Sequence, residues 1–330
     1  MNSPAHWITR FAIPVSLALI LYGGGAAVAQ DYPTKPIRLV LGFPPGGASD
    51  AGARIFSPKL SQLLGQQIVI DNRPGANTNI ANEIVARAQP DGHTLLWGFS
   101  NGFVVNPSLY EKLRFDPVKD FAPIMLMAQY QFILVVNRSV PANSLNELIA
   151  FIKSSKAGQF QYASTGIGSP NHLAAELLKS RTGLDITHVP YKGGGPATVA
   201  VISGETKILF ASIPSVIGHI KAGNLRALAV TAPGRAPDMP GVPTMQESGF
   251  PGFDVRAWNG MFAPAGTPRS VITRLHRDLS AVVAIPDVQE GFRREGMEPA
   301  INTPEEFAAR IKSETVIWAK LIKAAGIKGE

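Results

Sequence analysis

"VLGFPPGGASD" spans Val40–Asp50. An apolar run ends in a turn of two prolines and two glycines, and a small polar segment then opens onto helical spacing. Strand, turn and helix in this order form the unit of an α/β fold. The turn offers unsatisfied N–H groups at the positive end of a helix dipole, a place suited to an anion. "YASTGIGSPNHLAAE" (Tyr162–Glu176) repeats the pattern, with Ser169 placed to cap a helix and Pro170 to fill its first turn. Ligands of open α/β sheets bind beyond the carboxyl ends of strands. Two such turns, in different halves of the chain, suggest jaws closing on one ligand; an ordinary βα turn is the alternative for either one alone.

Outward from these turns, short β-rich runs alternate with helically spaced segments. Ile37–Phe43, Gln67–Asn72 and His93–Phe99 read as strands, and Asp50–Gly65 and Ile80–Gln89 as helices. Pro58 is expected to kink or split the first helix. A long extended run covers Ile124–Asn137. Helices at Ser144–Ser155, Pro170–Gly183, 196–203 and 214–223 then alternate with strands at Phe160–Ser164, 185–191, 206–211 and 225–232, before a helical tail. The alternation predicts parallel sheets flanked by helices.

Residues 1–29 hold Arg10, no acidic residue, an apolar run from Phe11 to Tyr22, and small residues ending in Ala27–Ala29. This is the pattern of a secretory signal peptide, with cleavage expected after Ala29. The apolar run falls short of the roughly 20 residues that span a bilayer. The chain contains no cysteine, which excludes a lipoprotein anchor, thiol nucleophiles, thiolate metal sites and iron–sulfur clusters, and leaves stability to the cores. Export to a bacterial periplasm is the expectation. At about 100–200 residues per domain, residues 30–330 make two domains. The net charge of +7 becomes +6 without Arg10, and no run of five basic residues occurs. Nucleic acid is therefore not an expected partner, while a mild positive field favours small anions.

Several segments, in register along nearly the whole chain from Tyr32, resemble the Bug/TctC family, the periplasmic solute-binding proteins of tripartite tricarboxylate transporters. They are "YPTKPIRLVLGFPPGGASDAGAR" (Tyr32–Arg54), "DNRPGANTNIANEIVARAQPDGHTLL" (Asp71–Leu96), "LRFDPVKDFAPI" (Leu113–Ile124), "YASTGIGSPNHLAAELL" (Tyr162–Leu178), "VPYKGGGPA" (Val189–Ala197), "IKAGNLRALAVT" (Ile220–Thr231) and "FAPAGTP" (Phe262–Pro268). The resemblance implies an α/β, two-lobed periplasmic binding protein, type II-like, each lobe a mostly parallel sheet flanked by helices. Two crossing strands, Ile124–Asn137 and Phe253–Pro264, would form the hinge. Lobe 1 is then expected at 30–130 plus 254–330 and lobe 2 at 131–253. The implied function is a monomer that captures a small organic carboxylate, aliphatic or aromatic, and delivers it to the membrane subunits of a transporter. No cofactor, metal or catalysis is implied.

In such proteins the carboxylate is held largely by backbone N–H groups and water from two turns, which map here to Phe43–Asp50 and Ser164–His172. Within the first, Gly46 and Gly47 let the backbone approach a ligand, next to Phe43, Ala48 and Ser49. Asp50 either contacts the ligand or caps its helix. The second supplies Ser164, Thr165, Gly166, Ser169 and His172; the hydroxyls of Ser49, Ser164, Thr165 and Ser169 are candidate donors. Asn101 sits on a third turn, Tyr191 and Gly193 open a further helix, and Trp258 lies on the return crossing. Phe43, Phe99, Tyr191 and Trp258 are candidate cleft walls. The chain departs from the family's frequent "PGAGG" with "PGANTN" (Pro74–Asn79), and has Ala200, Lys207 and Ala211 where acids are common. Fewer acids lean toward a more anionic, less aminated ligand.

Two other classes compete. A hydrolase would need a nucleophile elbow, but Gly-x-Ser-x-Gly fails at Ala51, and Gly47–Arg54 lacks the Lys-Ser/Thr of a P-loop. "TGIGSPN" lacks the third glycine of a dinucleotide fingerprint. His172 and Glu176, one turn apart, provide two metal ligands at most. A binding partner for a membrane sensor kinase would share every feature of a transport receptor.

Overall fold

The computed structural model describes Met1, residues 32–156 and residues 158–329; the expected signal peptide beyond Met1, with its cleavage point, lies outside the described residues. The chain runs β1 (Ile37–Leu41), α1 (Ala48–Leu64), β2 (Ile68–Asn72), α2 (Asn79–Ala86), β3 (Thr94–Phe99), α3 (Asn106–Leu109) and β4 (Phe121–Asn137). It continues through α4 (Leu145–Ser154), β5 (Phe160–Ser164), α5 (Pro170–Thr182), β6 (Ile186–Pro190), α6 (Gly194–Ser203), β7 (Ile208–Ser212), α7 (Ile213–Lys221) and β8 (Leu225–Val230). The last part is β9 (Arg256–Pro264), α8 (Arg269–Val283), α9 (Pro286–Arg294), β10 (Met297–Pro299) and α10 (Pro304–Ala325).

β4 organises the molecule because its 17 residues are long enough to serve two sheets. Phe121–Gln131 pairs antiparallel with β9, and Phe132–Asn137 pairs antiparallel with β7 and β8. On the first side β2, β1 and β3 are parallel and β9 joins β3 to β4, with β10 on the other edge of β4. On the second side β6, β5 and β7 are parallel. The parallel part of each sheet is thus three strands, and antiparallel neighbours come from the crossing strands, β8 and β10. Pro123 sits in β4 beside a register shift, where a missing N–H is tolerated. Buried Thr231 ties the crossing: its N–H donates to Phe132 O at 2.9 Å, its hydroxyl donates to Val255 O at 2.7 Å, and the Phe132 N–H donates to its Oγ1 at 3.0 Å.

Pro58 does not split α1, which continues from Ala48 to Leu64. Pro58 and Arg54 both lie on the exposed face, so the Arg54 carbonyl that Pro58 leaves without a donor faces water. Sequence spacing did not separate α9 and β10 from the tail, nor α3 from its flanking loops. Among the described residues, no helix is long and apolar enough to cross a membrane.

Candidate functional site

Three helices begin around one cavity of about 520 Å³, whose lining includes Gly47, Ala48 and Ser49 of α1, Ser169, Pro170 and Asn171 of α5, and Gly193 and Gly194 of α6. Each helix follows the carboxyl end of a strand, β1, β5 or β6. Phe43 and Phe99 meet edge to face at 5.1 Å, and Phe99 meets Tyr130 at 6.1 Å, forming an aromatic wall. No Asp, Glu, Lys, Arg or His side chain lines the cavity among the described residues. Positive potential in it therefore comes from N–H groups and helix dipoles.

The first turn is braced from behind. Gly47 is the N-cap of α1 with no side-chain cap, so the helix's first N–H groups stay open toward the cavity. Asp50 is not that cap and does not line the cavity: its carboxylate accepts from Gly46 N at 3.0 Å, Arg54 Nε at 2.8 Å and Asn72 Nδ2 at 2.9 Å. The Arg54 hydrogen bond leads in holding its pKa down to about 2. Gly46 likewise serves the turn, with φ +88° and its N–H committed to Asp50. Ser49 reaches the cavity, but its Oγ accepts from Trp97 Nε1 at 3.0 Å and Asn259 Nδ2 at 3.2 Å. Neither partner is a base. Burial pushes the Tyr130 phenol pKa up, and its O–H donates to Asn259 Oδ1.

The second turn rests on an imidazole stack. His172 and His188 lie face to face at 3.9 Å and 7°. His172 Nδ1 accepts the Gly168 N–H at 3.0 Å, and His188 Nε2 bonds Ser164 Oγ at 2.6 Å. Burial leads in depressing both imidazole pKa values to about 4. Ser164 is fully buried, so it and His172 shape the turn without lining the cavity. Thr165 and Gly166 do line it, and the Thr165 hydroxyl donates to Asn171 Oδ1 at 2.9 Å. Ser169 lines it and caps α5 by accepting the His172 N–H at 3.3 Å; its own O–H meets no acceptor among the described residues. Of the four hydroxyls expected to serve a ligand, Ser169 is the freest to do so.

Asn101 and Gly193 lie on the cavity wall, and Asn101 Nδ2 donates to Gly168 O of the second turn at 3.0 Å. Tyr191 turns away, its O–H donating to Glu205 at 2.9 Å, and borders a neighbouring cleft with Gly166 and Ile167. Trp258 is a core residue: fully buried, it packs on Phe103 and Phe307 and donates Nε1–H to Glu314 at 2.8 Å. Alternation along β9 turns Ala257, its neighbour, to the cavity instead. Outside the two turns, sequence reasoning did not single out Asn77, Tyr130, Phe132, Gly194 or Ala257. Only the change from "PGAGG" to "PGANTN" pointed to the first. Among the described residues no group of three or more His, Cys, Asp or Glu side chains is placed to hold a metal; Glu176 instead accepts from Tyr162 and Lys179.

A central cavity ringed by helix N-termini, between two α/β lobes that share crossing strands, is the arrangement of a periplasmic binding protein. The chain belongs to the family described as "Tripartite tricarboxylate transporter family receptor", whose model matches residues 53–327. It is similar to the periplasmic binding protein BugD, at 34% identity and a TM-score of 0.75, with 91% of this chain and 100% of that one covered. Rpa4515 of R. palustris, solved with adipate, has 34% identity and a TM-score of 0.79, covering 90% of this chain and 99% of its own. MatC from Rhodopseudomonas palustris, solved with malate, has 31% identity and a TM-score of 0.74, covering 88% and 100%.

Proposed function

We propose that this protein is an extracytoplasmic receptor that captures a small organic carboxylate between its lobes, performs no chemistry on it, and delivers it to the membrane subunits of a tripartite tricarboxylate transporter. The carrying observation is the convergence of α1, α5 and α6 N-termini on one cavity without a charged side chain on its wall. N–H groups there bind an ionised oxygen at no cost in side-chain ordering. The cavity volume lies within the roughly 300–1,000 Å³ of small-molecule sites. Ligands of the two similar R. palustris proteins, adipate and malate, support a carboxylate.

In the same reading the protein acts in the periplasm as a monomer after cleavage at Ala29. Lobe 1 is residues 30–130 with 254–330, and lobe 2 is 131–253. The change of partners along β4 between Gln131 and Phe132 supports those limits. The test is calorimetry with mono-, di- and tricarboxylates, aromatic acids and amino acids beside a neutral sugar. Micromolar or tighter binding of an acid is expected. Binding of the sugar with no response to any acid would overturn the proposal.

A further inference from the structure

Ala76, Asn77 and Thr78 are three successive non-glycine residues in the left-handed region, at φ 46°, 51° and 75°. L side chains resist that conformation, Asn least and β-branched Thr strongly. Such strain persists where the surroundings over-determine it, and it clusters at ligand clamps. The surroundings do so here: Thr78 is buried over Gly42, where an added Cβ would stand 2.6 Å from the Thr78 Cβ. Asn77, fixed between its two strained neighbours, lines the cavity.

The Asn77 amide is held by two other asparagines. Its Nδ2 donates to Asn106 Oδ1 at 2.7 Å, and Asn106 Nδ2 returns bonds to Asn77 O at 2.9 Å and Asn79 Oδ1 at 2.6 Å. Asn101 Nδ2, which donates to Gly168 O, lies 3.5 Å from Asn77 Oδ1. An amide nitrogen carries two hydrogens, and Asn106 takes one from Asn77. Glycine would adopt this φ without strain, yet the position holds an amide. A second carboxylate in a cavity without cations has to be met by neutral donors already in place, and hydrogen bonds to ionised acceptors are the stronger kind.

We propose that Asn77 is a specificity-determining residue, its remaining amide N–H binding a second carboxylate of the ligand, apart from the carboxylate held at the helix N-termini. The inference rests on the carboxylate reading above. Asn77→Gly keeps the turn and removes the amide; Asn77→Asp keeps the shape and replaces the donor with a negative oxygen. Wild type and both variants are titrated calorimetrically with straight-chain diacids of four to eight carbons and with monoacids of matching length. Wild type should prefer a diacid to its matching monoacid. Asn77→Gly should weaken that diacid about ten- to a hundredfold and leave the monoacid within about twofold, with an unchanged circular dichroism spectrum showing that the fold survives loss of the Asn106 bond. Asn77→Asp should weaken the diacid further. A wild-type diacid-to-monoacid ratio in Asn77→Gly overturns the proposal, as does a wild-type protein that binds monoacids and prefers no diacid; either leaves the carboxylate reading standing. Binding of no acid by wild type overturns both.

Discussion

Gly47 carries the most direct residue-scale consequence of a site made from backbone. Its φ of −85° and ψ of 165° suit any residue, and an added Cβ meets nothing within 4 Å. Gly47→Val should therefore fold normally, place its methyls against the open N–H groups of α1, and lose carboxylate binding by about a hundredfold or more. Titration beside a thermal melt checks this; normal affinity in the folded variant would return the stretch to an ordinary turn. Gly166→Val is a poorer probe, because φ +131° strains any side chain there. Ser49→Ala should change affinity by tenfold at most. Its hydroxyl serves Trp97 and Asn259, and Trp97 Nε1 keeps the Ser49 carbonyl at 2.9 Å. The stability cost should be about 0.5–1.5 kcal/mol, measurable by denaturant unfolding.

At the scale of elements, the two jaws are braced by titratable groups whose contributions all fall away as pH drops, each in its own range. His172 and His188 bind protons near pH 6.5 when unfolded but only near 4 when folded. Between these values the unfolded chain binds more protons, so their contribution is full above about pH 6.5 and is lost as pH falls toward 4. Glu176 and Lys179 face the same stack, Glu176 opposing the depression and Lys179 adding to it, while Tyr162 stacks on His188. Asp50, depressed to about 2, adds stability above its ordinary 3.8 that is lost as pH falls toward 2. The thermal midpoint should fall steadily from pH 7 to 4.5; a flat profile there would contradict the buried stack. Sequence periodicity made most elements legible because strand and helix spacing are local, and both jaw turns with them. The roles of Asp50, Ser164 and His172 were not legible. They hinge on partners such as Arg54, Asn72 and His188, and no local pattern shows which oxygen is already spent. Trp258 was misplaced for a related reason: a crossing strand has a core face and a cleft face, and only the packed α10 decides between them.

Across the whole molecule, a ligand gripped by α1 on one side and by α5 and α6 on the other enters only when the two sides part. The Asn101–Gly168 bond spans that gap in the present form. Small-angle scattering should show a smaller radius with a bound acid than without, and an unchanged radius would argue against closure. Trp258 lies in the core, so Trp258→Phe should leave affinity within about twofold. The central claim is that helix N-termini, not cationic side chains, select an anion. Its most direct test is a calorimetric comparison of the best-binding acid with its carboxamide, which keeps shape and removes charge. The acid should bind and the amide should be weaker by at least about a hundredfold, since N–H donors reward an ionised acceptor. Equal binding of the two would contradict the claim.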